Sequence, residues 1–228
     1  MNLKHILITI LFLTSLIFYY NLTDLNPKTT TAQVTKIIDG DTLQTSANQT
    51  IRLLGINTPE KNEPFYQEAK THLNNLVQNQ TIQIESEQQD KYGRTLAYIF
   101  LNNQNVNAQI LKQGLATLYY YDHDSHYEEL KKAEEFARLN QLGIWEPSPN
   151  APCIQVTEFK TTEPESLTLQ NTCPIQINLT YKDDATHIYK TTLSPDSIYQ
   201  NNFSHTWNTE GDSIYIYDNQ GLILFQRY

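Results

Sequence analysis

Basic residues are scarce in this sequence. Its 228 residues carry 16 Lys and Arg against 25 Asp and Glu, a formal net charge of −9. That balance argues against a broad cationic surface gripping nucleic acid along its length, but it leaves room for a small basic or cation-filled cleft. Cysteine is nearly absent: Cys153 and Cys173 both lie in the last third. With no second pair and no histidine cluster beside them, they do not make a zinc site. They are either two buried thiols or, outside the cytoplasm, a disulfide. Internal repeats and long low-complexity segments are also missing. Hydrophobic residues make up 39% and charged residues 18%, which supplies enough apolar matter for a core and excludes wholesale disorder.

The long apolar run sits at the start. Lys4 and His5 precede a stretch from Ile6 to Tyr20, and counting from Leu3 to Leu22 gives about 20 residues, enough to cross a bilayer as a helix. No small-x-small cleavage site follows it. Residues 1–22 read as an uncleaved signal-anchor, with Tyr19 and Tyr20 at the membrane interface. A cleaved signal peptide, and hence a secreted protein, is the alternative, and a buried core helix is another. On the anchor reading the folded part lies outside the cell membrane.

Residues 23–31 form a polar tether, 32–146 a first domain, 147–152 a proline-rich linker and 153–228 a second domain. In the first domain the segments AQVTKIID, TLQTS, QTIRLLGI, TIQIES and TLAYIFLN carry strand signals. Three helices are expected. One spans EPFYQEAKTHLNNLVQN, with Pro64 in its first turn and Phe65, Ala69, Leu73 and Leu76 as its apolar stripe. A short one lies in NVNAQILKQG, stopped by Gly114. The third starts at Ser125, with Glu128 completing a capping box, and Glu128, Glu129, Glu134 and Glu135 are expected on its solvated face. Five strands and three helices suggest a small barrel with helical support. The second domain shows strand signals alone, six or so, which fits a β-sandwich; His187 and His205 look isolated there.

Chemistry concentrates in Ile37–Glu60, IIDGDTLQTSANQTIRLLGINTPE, which holds Asp39, Asp41, Arg52 and Glu60. Carboxylates and a hydroxyl at the Asp39-Gly40-Asp41-Thr42 turn suit a hard cation, although alone they equally suit an ordinary hairpin turn. Arg52 lies inside an apolar strand and needs an anion or an acidic partner. Asn57 and Glu60 follow where that strand ends, and DKYGR, residues 90–94, adds a basic loop. An ion to neutralise a phosphate oxygen, a glutamate for water and two arginines for the charge at phosphorus are what phosphodiester cleavage requires.

These residues resemble the staphylococcal nuclease (thermonuclease) family. The likeness runs through IDGDT, IRLLGINTPE, DKYGRTLAYIF, VNAQILKQGLATLYYY and HYEELKKAEEFARLNQLGIW, in order, across nearly all of 32–146. It implies an oligonucleotide-binding (OB) type five-stranded barrel with three helices and a calcium-dependent phosphodiesterase acting on DNA and RNA. Carried over, it makes Asp41, Asn57 and the Thr58 carbonyl metal ligands, with Asp39 nearby. Arg52, Glu60 and Arg94 become the catalytic residues, and Tyr92 and Tyr120 the nucleotide-pocket tyrosines. The family commonly has Asp where this chain has Asn57, which removes one negative charge from the metal and puts its affinity in doubt. The second domain more weakly resembles the lamin-tail domain, an immunoglobulin-like sandwich, through SLTLQNTCPIQINLT and WNTEGDSIYIYDNQG; the partner it would bind is not apparent. A non-catalytic nucleic-acid-binding module and a surface adhesion protein are the competing readings. The acidic balance and the need for water and metal at the phosphate favour single-stranded substrates.

Overall fold

A computed structural model describes Thr14 and residues 28–119, 124–184, 187–208 and 211–228. The N-terminal anchor and Tyr120 lie outside the described residues. Among those described, no helix is long and apolar enough to cross a membrane.

The first domain is a closed barrel. Strand β1 (Lys28–Ile37) pairs with β2 (Thr42–Thr45) and β5 (Thr81–Gln89), β2 with β3 (Thr50–Leu53), and β5 with β6 (Thr95–Leu101). A parallel β3–β6 pairing closes the ring of five, and the short β7 (Gln104–Asn105) extends β6. Strand β1 begins at Lys28, so the sheet reaches into the expected tether. The barrel is filled by Val34, Leu43, Ile51, Leu53, Ile82, Ile84, Ala97 and Ile99, all essentially inaccessible. A second, two-stranded pairing joins β4 (Ile56–Asn57) to β8 (Thr117–Leu118).

Three helices support the barrel. Helix α1 (Tyr66–Val77) starts later than expected: Pro64 stays in the preceding turn, and Phe65 takes a left-handed conformation as N-cap. Ala69, Leu73 and Val77 form its buried stripe, and Leu76 lies at its edge. Asn105 caps α2 (Val106–Lys112) by accepting from the Ala108 amide. Helix α3 (Tyr127–Leu139) buries Leu130, Ala133 and Ala137 as its periodicity requires. Its capping box does not form. His126 is the N-cap, and the Asp124 carboxylate takes the His126 amide instead, at 2.7 Å. Glu134 is the larger correction: it is 2% exposed, not solvated, because the second domain covers it.

Among the described residues that domain has seven strands, where the sequence suggested six or so. β13 (Ile198–Phe203), β10 (Glu165–Asn171) and β9 (Ile154–Lys160) make one sheet. β12 (Ile188–Leu193), β11 (Ile177–Lys182), β14 (Ser213–Asp218) and β15 (Gly221–Arg227) make the other. The strand overlooked, β13, reads IYQNNF, whose polar residues mask its alternation. Leu167, Leu169, Leu179, Tyr181, Ile214 and Ile216 pack between the sheets, and a disulfide joins Cys153 to Cys173 at the edge of this core.

The linker is not free. Ser148 donates its amide to Leu222 and Leu222 donates to Glu146, both at 2.8 Å, so the linker runs alongside β15. Gly221 permits this: a Cβ there would meet the Glu146 oxygen at 2.5 Å. Ile144 and Trp145 turn inward and meet Tyr215 and Phe225 of the sandwich, with Trp145 lying 5.1 Å from the Phe225 ring. The two domains thus share an aromatic interface.

Candidate active site

The β1–β2 turn and the β2–β3 pairing build the site. Thr42 pairs with Arg52, and the Leu53 amide donates to the Asp41 carbonyl at 2.8 Å. This register sets Asp41 beside Arg52, with Asp41 Oδ1 3.2 Å from Arg52 Nε. Asp41 Oδ2 accepts from the Thr58 amide at 3.0 Å and the Thr58 hydroxyl at 2.9 Å. Asp39 lies against the Asp41 amide, its Oδ1 accepting at 3.1 Å. Burial, reinforced by the neighbouring Asp41 charge, pushes the Asp39 carboxyl up to about 6. Gly40 holds its place for lack of a side chain: a Cβ would sit 2.8 Å from both Ala69 Cβ and Thr58 Oγ1. The glycine of the expected turn is therefore needed for the close approach of α1, and its φ is ordinary.

Arg52 spends most of its donors inside the protein. Nη1 donates to the Leu53 and Ile56 carbonyls at 2.5 and 2.9 Å, and Nη2 donates to Asn57 Oδ1 at 2.5 Å. Such a fork fixes the guanidinium plane. Asn57 is turned toward Arg52 by this bond, while its Nδ2 donates to the Asp184 carbonyl of the sandwich domain at 2.9 Å.

Glu60 and Asn57 line a cleft of about 630 Å³ between the domains, whose other wall includes Thr180, Lys182, Ile188 and Lys190. The Glu60 amide is held by the Glu63 carboxylate at 2.6 Å, which leaves the exposed Glu60 side chain directed by its turn. Arg94 immediately precedes β6, where Leu96 pairs with Arg52, so Arg94 leads into the strand joined to the one that carries Arg52. Asp90 holds Arg94 through Nε at 2.7 Å. Tyr92 is 71% exposed, with Lys91 and Arg94 over its ring at 5.1 and 5.4 Å. The structure brings Asp39, Asp41, Arg52, Asn57 and Thr58 into one hydrogen-bonded group. Glu60 stands in the adjoining cleft, and Arg94 and Tyr92 share a loop beside β3.

The acidic groups here offer oxygens, the Asp39 and Asp41 carboxylates, with the Asn57 amide oxygen bonded to the same arginine that faces Asp41. This is the chemistry a hard divalent cation takes, and close carboxylates repel each other until a cation lies between them. Among the described residues no three His, Cys, Asp or Glu side chains converge, so water or substrate oxygens would fill the remaining positions.

Sequence reasoning missed a polar network behind the site. Glu134 Oε1 accepts the Leu118 amide at 2.7 Å, and its Oε2 pairs with Arg227 Nη1 at 2.5 Å. Arg227 Nη2 reaches the Tyr215 hydroxyl at 3.3 Å, which in turn donates to Asp184 Oδ1 at 2.6 Å. Burial lifts the Asp184 carboxyl to about 6, against the pull of Tyr215 and Arg227. The signal was available: Arg227 closes the apolar strand LILFQR, and a cation so placed demands an acid, as Arg52 does.

A closed five-stranded barrel bearing paired carboxylates, an internal arginine and a cleft glutamate is an OB-type site suited to phosphate chemistry. Comparison with known proteins agrees. Residues 50–147 match the family described as staphylococcal nuclease homologue. A Haemophilus influenzae protein named as an uncharacterized endonuclease is 34% identical over 174 residues, covering 73% of this chain and 94% of that protein. The thermonuclease of Staphylococcus intermedius is 34% identical over 125 residues, 50% of this chain and 74% of its own. The micrococcal nuclease of Shigella flexneri is 34% identical over 131 residues, 52% of this chain and 75% of its own. The chain belongs to the staphylococcal nuclease family.

Proposed function

We propose that this protein is a calcium-dependent nuclease that hydrolyses phosphodiester bonds of DNA or RNA outside the cytoplasm. The observation that carries the reading is the Asp39–Asp41 carboxylate pair set against Arg52, which is bonded through Asn57 to the cleft that holds Glu60. Nuclease-named relatives of similar sequence support it.

Asp41, the Thr58 carbonyl and the second lone pair of Asn57 Oδ1 would hold the ion, with Asp39 nearby. When bound, calcium neutralises a phosphate oxygen. The protein's own groups do the rest. Arg52 presents its one remaining Nη2 N–H, rigidly oriented, to the phosphate. Arg94, backed by Asp90, supplies a second cation for the charge that grows at phosphorus. Glu60 receives a proton from the attacking water as its oxygen bonds to phosphorus, and the ester oxygen departs with its bonding electron pair and takes a proton from solvent. Tyr92 offers an exposed ring on which a base can stack; by the family resemblance Tyr120 would serve the same nucleotide. A cleft between two domains admits a single strand more readily than a duplex. The Cys153–Cys173 disulfide and the apolar N-terminus support export and membrane anchoring. The sandwich belongs by resemblance with lamin-tail domains.

The test is cleavage of single-stranded DNA and RNA oligonucleotides by the full chain, with calcium and with excess chelator, beside Glu60→Gln. Calcium-dependent products that the variant fails to make are expected. Folded protein that binds the oligonucleotides yet cuts none of them with any divalent ion would make this a binding module instead.

A further inference from the structure

Asn57 stands where the resembling family has Asp, and the structure supplies a physical reason for an amide. A carboxylate could accept from Arg52, but it has no hydrogen to give. Asn57 does both. Its Oδ1 takes Arg52 Nη2 at 2.5 Å, and its Nδ2 gives to the Asp184 main-chain carbonyl at 2.9 Å, 127 residues along the chain. Each end of the amide is therefore assigned, and rotation about its last torsion would break both bonds at once.

Asp184 is itself held. Its amide donates to Asp212 Oδ1 at 3.2 Å, and its carboxylate takes the Tyr215 hydroxyl. Tyr215 meets Arg227, Arg227 meets Glu134, and Glu134 accepts the amide of Leu118 in β8. β8 pairs with β4, where Thr117 faces Asn57. The bonds leave Asn57, cross into the sandwich, and return to the strand beside it. The ring is closed, and it passes through residues of the sandwich that the nuclease chemistry itself does not require.

We propose that the sandwich domain is a positioning element of the catalytic cleft, and that Asn57 is the residue through which it sets the orientation of Arg52. The proposal rests on the nuclease reading for its effect on rate, while the bridge itself can be measured without any activity. Asp41, Leu53 and Ile56 hold the rest of the guanidinium, so loosening Asn57 shifts the Nη2 end that faces the phosphate, and misplacement of a catalytic group by about 1 Å costs up to about 100-fold.

The experiment uses the full chain and two variants. Asn57→Asp keeps the acceptor for Arg52 but turns the donor into a charged oxygen facing the Asp184 carbonyl. Tyr215→Phe keeps the ring in the aromatic interface and removes the hydroxyl that holds Asp184. Amide hydrogen exchange is followed across residues 182–190, and kcat and KM are measured on a single-stranded oligonucleotide at calcium saturating for each protein, which separates the change in ion affinity that an Asp ligand brings from the positioning effect. For Asn57→Asp, faster exchange in 182–190 is expected, with kcat down by about 10- to 100-fold and KM within about twofold of the parent. Tyr215→Phe should move both quantities in the same direction. A folded Asn57→Asp protein with parental exchange and with kcat unchanged or raised overturns the proposal. Should Tyr215→Phe fail to fold, Asn57→Asp alone decides, since residue 57 is only half-buried. If the parent cuts nothing, the nuclease reading falls, and the exchange result still supports or refutes the bridge.

Discussion

Glu134 and Arg227 form an ion pair 2.5 Å long between the third helix of the barrel domain and the last strand of the sandwich, with the Glu134 side chain 3% exposed. Glu134 has no other cation within reach among the described residues, and its second oxygen is committed to the Leu118 amide. Removing the arginine alone would strand a buried charge. Arg227→Met is therefore expected to destabilise the protein by about 3 kcal/mol, whereas Arg227→Met combined with Glu134→Gln should recover most of that loss. Urea unfolding of the three proteins checks this. A single variant as stable as the parent would mean that water already reaches the pair.

Arg52→Lys tests the fork rather than the charge. A lysine cannot satisfy the Leu53 and Ile56 carbonyls, the Asn57 oxygen and the Asp41 carboxylate together. The rate of oligonucleotide cleavage should fall by about 10²- to 10³-fold, the scale seen when one preorganised donor is removed. Stability should fall too, by about 1–3 kcal/mol, because carbonyls that now have donors would lose them. Steady-state kinetics and thermal unfolding of the same preparations check both. An Arg52→Lys protein that cleaves like the parent would show that the guanidinium does not meet the phosphate.

How much of this was legible in advance depended on whether a signal was local. The barrel strands show in the alternation of TIQIES and TLAYIFLN, and the helical stripe of Ala69 and Leu73 shows in its spacing; both are periodicities that a core imposes on neighbouring residues. The grouping of Asp39, Asp41 and Arg52 was visible because a hairpin of short turns brings them together within a few residues. Glu134 was misread because its periodicity places it at the margin of the apolar face of its helix, and only a partner 93 residues away makes that margin interior. The same holds for Asn57, whose second bond crosses to Asp184. Phe65 as a left-handed N-cap departs from local propensity because its ring is drawn into the hydrophobic packing on both sides of the domain junction.

His72 makes stability depend on pH. Its ring is partly buried on the first helix, its Nε2 has no hydrogen-bond partner among the described residues, and burial lowers its pKa. Lys112, Lys132 and Glu129 line the same hollow. The unfolded chain takes up this proton near the ordinary value of 6.5, before the folded one does. As pH falls through that value the unfolded state binds more protons, so the His72 contribution to stability is present above it and declines below it. The unfolding midpoint should drop between about pH 7.5 and about pH 5.5, and His72→Gln should show a smaller drop. Equal slopes for the two proteins would place the cause elsewhere.

Gly40→Ala probes how tightly the first helix is pressed against the Asp39–Asp41 turn. The added Cβ would lie 2.8 Å from Ala69 Cβ and 2.8 Å from Thr58 Oγ1, closer than real carbon contacts allow. Neither neighbour is the far end of a flexible chain: one is the Cβ of a buried helical alanine, and the other is a hydroxyl bound to Asp41. Something rigid must move, and such overpacking costs about 1–3 kcal/mol. Because Thr58 grips Asp41 through both its amide and its hydroxyl, the same displacement should raise the calcium concentration needed for half-maximal cleavage. Adding Ala69→Gly removes one of the two clashes at a helix-propensity cost of about 1 kcal/mol. The double variant should then regain little stability but shift the calcium requirement back toward that of the parent. Thermal unfolding and calcium titration of cleavage, run on the parent, the single and the double variant, separate the two effects. A Gly40→Ala protein with parental stability and parental calcium requirement would show that the turn has room to spare and does not hold the carboxylates in place.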